Sequence, residues 1–188
     1  MIGFLFFFFG VITALGMCSL AAWTDFKGYR ISNTVSVIIV ASFAVAFGIT
    51  YLTGQNEIIF SSWQSHLGSF FIVLIITMAM FAFKALGAGD SKMASAVALW
   101  LGWGGMVPFL FYMALMGGIL AGVSIFLKKK KPLKQPLPVP FQNTWLESAQ
   151  SGTNKVPYGI AIATGALVAF IFNGYFSPDK WSDMINLQ

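Results

Sequence analysis

The chain has 188 residues, 57% of them apolar and 9% charged, with a formal net charge of +5 and a mean hydropathy of +0.79. A soluble domain carries roughly a quarter charged residues, so this composition excludes a water-soluble globular protein and points to one integral membrane unit over 1–188. The positive charges flank apolar runs, which suits a membrane surface and not nucleic acid; the single cysteine, Cys18, excludes an intrachain disulfide framework or a cysteine-based zinc site.

Six runs reach or approach the ~20 residues that a helix needs to cross a bilayer core of about 30 Å. They are expected at 2–23, 33–53, 66–84, 91–106, 107–127 and 157–175, the last with Pro157 in its first turn. The first run lacks a basic n-region and is long enough to span, so it reads as a retained transmembrane helix. The fold class is therefore all-α, a polytopic membrane protein with about six transmembrane helices. The stretch 128–156 reads as a basic, Pro-rich loop. It opens with Lys128, Lys129, Lys130 and Lys131, a stop-transfer signal suited to anionic lipid at about 1 kcal/mol per charge. Pro132, Pro136, Pro138 and Pro140 favour an extended strand, and Phe141, Trp145 and Leu146 form a candidate interfacial patch.

Alternate loops share a side of the membrane. Lys27, Arg30, Lys84, Lys92, Lys128, Lys129, Lys130, Lys131, Lys134 and Lys155 fall on one side, and Lys180 alone on the other. Positive residues mark the cytoplasmic side, so both termini, the 54–65 loop and a short 102–107 turn are expected outside the cytoplasm. Asp25, after the first helix, and Asp90, before the fourth, then share the cytoplasmic face. Glu57, Asp179 and Asp183 fall opposite, and Glu147 lies in the long loop. Small residues recur at four-residue spacing, Ala94 with Ala98, Gly118 with Gly122 and Ala161 with Gly165, as close helix packing in lipid requires. The six tryptophans fall near expected span ends, where interfacial anchors belong.

Only six residues are acidic, so a carboxylate between two apolar runs needs a reason. Asp90 reads either as an N-cap of the fourth helix or as a catalytic acid whose approach is flanked by Gly87 and Gly89. Asp25 reads either as the first residue of a type I turn, Asp25-Phe26-Lys27-Gly28, or as the second member of a pair. It lies at a helix C-terminus, where the dipole disfavours negative charge. Two acids that share a site cannot easily both ionise. The ionised one can activate water, and the protonated one can polarise a carbonyl and protonate a leaving amine. That is peptide hydrolysis with no metal and no cofactor. His66 is expected outside, in a structural or interfacial place, and Cys18 in core packing.

Gly87-Ala88-Gly89-Asp90 resembles the Gly-x-Gly-Asp signature of intramembrane-type aspartic proteases. Asp25-Phe26-Lys27-Gly28-Tyr29-Arg30-Ile31-Ser32-Asn33 resembles the first-aspartate motif of type IV prepilin peptidases, and Lys155-Val156-Pro157-Tyr158-Gly159 is similar to the last helix of their small CpaA/TadV-like members. Both aspartate motifs, 65 residues apart, make the signal specific. The resemblance implies an aspartic endopeptidase of the bacterial inner membrane that removes the basic leader of a prepilin or pseudopilin at the cytoplasmic face. It maps the two catalytic aspartates onto Asp25 and Asp90. Asn33 and Lys92 match other motif positions, though Asn33 also suits a cap of the second helix and Lys92 an interfacial charge. Tyr158 and Gly159 line the site or simply pack at a helix entry. Ser32 stands where the family commonly has proline, a change that a helix cap tolerates. No cysteine-rich domain separates the first two helices, so N-methyltransferase activity is not expected. The short form fits small Flp-type pilins.

Two other classes stay open. A small transporter component would use membrane acids to carry ions, but it favours acids deeper in the spans. A secretion-system scaffold would use both aspartates only as caps and turns.

Overall fold

The computed structural model describes residues 2–28, 30–60, 62–129, 144–150 and 156–186. Among them every regular element is a helix: α1 (Ile2–Gly28), α2 (Asn33–Leu52), α3 (Asn56–Ile59), α4 (Trp63–Ala82), α5 (Ala88–Lys129), α6 (Trp145–Gln150), α7 (Tyr158–Phe172) and α8 (Pro178–Asn186). Four of them, α1, α2, α4 and α5, are long and apolar enough to cross a membrane, and α7 is a shorter apolar helix. Large apolar side chains such as Phe9, Ile75, Phe111 and Ile171 face outward, while Ala14, Ala46, Ala98, Ala161 and Ala169 are buried. Lipid solvates the outer face, and small residues inside let the backbones approach.

The helix α5 is two arms in one. Gly102 takes φ 60° and ψ −167°, a conformation open to glycine, and the chain reverses there. Just before the break, Leu101 O accepts from Asn173 Nδ2 at 2.9 Å. Just after it, Gly105 lies against the same Asn173. The second arm then runs back along α7, with Phe109 and Met113 against Gly165 and Gly117 against Tyr158. The expected turn over 102–107 is thus one residue at its first position. The helices expected at 91–106 and 107–127 become 88–101 and 103–129.

Other boundaries differ for local reasons. Helix α4 begins at Trp63, three residues before the expected start, and a one-turn helix, α3, occupies part of the expected 54–65 loop. Pro157 is the cap of α7 and not its first residue. Within the expected loop 128–156, α6 places Trp145 in the interior, its ring 6.5 Å from that of Phe26. It is a packing residue and not part of a surface patch. Lys130, Lys131, the four prolines and Phe141 lie outside the described residues.

The bundle has two chemically distinct ends. Lys27, Arg30, Lys84, Lys92 and Lys128 lie at the end where α1 finishes and α2, α5 and α7 begin. At the other end the start of α1 meets α8, with the Phe4 and Phe8 rings against Trp181. Lys180 is there, donating from Nζ to Asn173 O at 2.7 Å. Trp100 is fully buried and is no interfacial anchor. The reversal at Gly102 carries it inward, where its Nε1–H reaches Ile39 O at 3.1 Å and its ring meets Phe7, Phe43, Phe60 and Phe170. His66 is buried beside it, Nδ1 2.8 Å from Leu99 O. Of the small-residue pairs, Ala94 with Ala98 and Ala161 with Gly165 pack inside. Gly118 and Gly122 face outward, with open space where a Cβ would stand.

Candidate active site

The helix α1 continues to Gly28, five residues beyond its expected end, so Asp25 sits in its last turn and not in a type I turn. The side chain is 5% exposed. A carboxylate at a helix C-terminus needs a compensating donor, and α7 supplies it. Gly159 N–H donates to Asp25 Oδ2 at 2.7 Å. Gly159 is the second residue of α7, so its amide is one of the first-turn donors with no partner inside the helix. A Cβ at this position would stand 2.9 Å from Asp25 Cβ, 3.0 Å from Oδ2 and 3.1 Å from Ile31 Cδ1. Only glycine lets the two helices meet this closely.

Asp90 is not the N-cap of its helix. Gly87 takes that place, its carbonyl accepting from Ser91 N–H at 3.1 Å. Asp90 reaches back from the first turn, and its Oδ2 accepts from Gly87 N–H at 3.0 Å, the acidic half of a capping box. Its Oδ1 is buried and has no hydrogen-bond partner among the described residues. The two preceding glycines have separate tasks. A Cβ on Gly87 would fall 2.7 Å from Asp90 Oδ2, and one on Gly89 3.2 Å from both Cβ and O of Ile31.

Asp25 and Asp90 line one cleft of about 610 Å³ at the basic end of the bundle, with Arg30, Ile31, Gly87 and Gly89. That volume is within the usual range for ligand sites. Gly159 stands behind Asp25. The other expected supporting residues lie elsewhere. Lys92 Nζ donates to Asn33 Oδ1 at 3.0 Å, and this pair lines a neighbouring cleft. Ser32, not Asn33, caps α2, its Oγ accepting from Thr34 N–H at 3.2 Å. The Tyr158 ring lies on Gly117. A third, apolar groove of about 480 Å³ runs between α1 and α7, bordered by Trp23, Phe26 and Ile160.

Thr24, Arg30, Ile31 and Ser32 also line the cleft, and none of them stands out in the sequence as a site residue. Arg30 was only one of the positive charges, and Ile31 only an apolar residue in a motif. Ile31 touches Gly89 and Gly159, which are remote from it in sequence. No local pattern carries that contact.

The model of the type IV leader peptidase family matches residues 12–122, more than half of the chain. The chain belongs to the type IV leader peptidase family. No curated protein and no solved structure matches it. Family membership makes the protein a peptidase, and hence a hydrolase, with several apolar helices of a multi-pass membrane protein. In this type IV leader peptidase the matched span holds Asp25, Ile31 and the Gly87–Asp90 turn, and it ends before Gly159. The cleft brings two carboxylates to one opening, each fixed through one oxygen by a backbone amide. Two acids so held, with one oxygen of each left for other partners, are equipped for proton transfer to and from a peptide.

Proposed function

We propose that this type IV leader peptidase is an aspartic endopeptidase that removes the basic leader of a type IV or Flp-type prepilin, or of a pseudopilin. It works at the cytoplasmic face of the bacterial inner membrane. The observation that carries the reading is the meeting of Asp25 and Asp90 in one cleft at the basic end of the bundle. Counting α1, α2, α4, the two arms of α5 and α7 each as one crossing gives six, which supports this reading. With that count, the excess of positive charge at the cleft's end supports a cytoplasmic cleft with both termini on the opposite side.

In the mechanism, one carboxylate of the pair is ionised and the other holds a proton, because two negative charges in one cleft repel. The ionised group takes a proton from water as the oxygen attacks the scissile carbonyl. The protonated group hydrogen-bonds the carbonyl oxygen and stabilises the tetrahedral intermediate. A proton then passes to the leaving amine and the C–N bond breaks. The backbone donors Gly159 N–H and Gly87 N–H hold both carboxylates in place before substrate arrives. The groove between α1 and α7 is bordered by Phe26 and Ile160, which follow Asp25 and Gly159 in sequence, and it suits the apolar segment after the leader. The reaction is hydrolysis alone, without N-methylation.

The test is cleavage of a co-expressed prepilin, read by gel shift, in wild type, Asp25→Asn and Asp90→Asn at matched membrane levels. Each substitution is expected to abolish cleavage. Cleavage that persists in both would reduce the aspartates to structural groups and leave the scaffold reading.

A further inference from the structure

The Lys92–Asn33 pair closes one end of a separate cleft of about 560 Å³ between α2, α4 and the first arm of α5. The body of this cleft is apolar, walled by Val37, Val40, Phe70 and Leu74. Along α2 it extends from Asn33 to Ala41, about 12 Å at 1.5 Å per residue. Its head is polar. Among the described residues Lys92 has a neutral hydrogen-bond partner, Asn33, and no carboxylate. Ser36, one turn further in, is 8% exposed, and its Oγ is buried without a hydrogen-bond partner among the described residues. The cleft therefore presents an uncompensated ammonium at the level where the helices begin, with an unused hydroxyl buried in its wall one turn further in, and an apolar channel from there into the membrane span.

We propose that this cleft binds one anionic phospholipid. Its phosphate meets Lys92, Asn33 and Ser36, and an acyl chain lies along Val37, Val40 and Phe70. The order of polar and apolar groups in the cleft is that of a lipid, charge at the interface and chain inward. A free phosphate would leave the apolar body uncovered, and a peptide helix would have no use for an inward-lying hydroxyl. The site is distinct from the lysine run that follows the second arm of α5, since the cleft is walled by α2, α4 and the first arm and no residue of the second arm lines it.

The test uses the purified full chain, delipidated in non-ionic detergent and titrated with dioleoyl phosphatidylglycerol or dioleoyl phosphatidylcholine under native mass spectrometry. The first phosphatidylglycerol should bind about fivefold tighter than the first phosphatidylcholine, as one lysine at the membrane surface warrants. Lys92→Gln should remove that preference. Val40→Trp, which fills the body of the cleft, should weaken the first binding of both lipids with the lysine run intact. Ser36→Ala, a smaller change that keeps the fold, should also reduce the preference. Equal binding of the two lipids by wild type would overturn the proposal. So would a preference unchanged in Lys92→Gln and Ser36→Ala, which would place the anionic lipid on the lysine run. Competition by glycerol phosphate at the same concentration as the lipid would overturn the acyl-chain assignment.

Discussion

The backbone amide of Gly159 holds the carboxylate of Asp25 at 2.7 Å, across 134 residues of chain. This bond joins the last turn of α1 to the first turn of α7 and orients one member of the proposed pair. A methyl group at 159 meets Asp25 and Ile31 at 2.9–3.1 Å. Gly159→Ala should therefore shift Asp25 by a fraction of an ångström to about 1 Å, enough to lower cleavage by roughly 10²-fold. Single-turnover cleavage of a prepilin at matched membrane levels measures this. Wild-type rates in Gly159→Ala would mean that the contact positions nothing.

The pH profile follows from the pair. At low pH the ionised member gains its proton and the general base is lost. At high pH the protonated member loses its proton and the general acid is lost. Cleavage should rise and then fall with pH, with both limbs belonging to the pair and not to one residue. Chelators should leave the rate unchanged. A plateau extending to strongly acidic pH would contradict the two-carboxylate mechanism.

The packing of α7 against the second arm of α5 depends on Gly165. A Cβ there would stand 2.8 Å from Phe109 O and 3.0 Å from Met113 N. These are backbone atoms, so the helices themselves must separate. Gly165→Ala should cost about 1–3 kcal/mol, visible as a lower unfolding midpoint in detergent. Gly118→Ala has open space around it and should match wild type or gain up to about 1 kcal/mol from helix propensity. Equal effects at the two positions would show that the inward placement of Gly165 and the outward placement of Gly118 are wrong.

Lys84 ends α4 in a left-handed conformation, φ 58°. Its N–H reaches Phe81 O at 2.9 Å, and Ala85 N–H reaches Met80 O at 2.9 Å, the paired bonds of a Schellman cap. The equivalent residues after α2 and α7 are Gly54 and Gly174. Lys84→Gly should relieve the strain and stabilise the protein by about 1 kcal/mol, and Lys84→Val should destabilise it. Thermal unfolding of the two variants decides; a loss of stability in Lys84→Gly would mean that the lysine side chain outweighs the strain.

Composition and charge order by themselves determined the class of this protein. Apolar runs of about 20 residues have one stable form in lipid, a helix whose backbone bonds are internal, so α1, α2 and α4 were legible to within a few residues. The Gly-x-Gly-Asp turn and the Asp25 motif also stood in the sequence, because capping and turn chemistry is local. Boundaries failed where tertiary contacts override local signals. Asp25 looked like a turn residue until Gly159 supplied the donor that lets α1 run through it. The expected 102–107 turn shrank to Gly102, and Trp100 went to the core instead of the membrane interface.

The tertiary structure alone decided which motif residues share a cleft. Asn33 and Lys92 belong to the same stretches as Asp25 and Asp90, yet they face a different opening. Asn33 begins α2 after the short link at 30–32, and Lys92 follows Asp90 by two residues on α5. Two positions along a helix turn a side chain by about 200°, so neighbours in a motif point to opposite sides of one element. The sequence states which residues are near one another along the chain; helix rotation and the close approach of Ile31 to Gly89 and Gly159 settle what each of them faces.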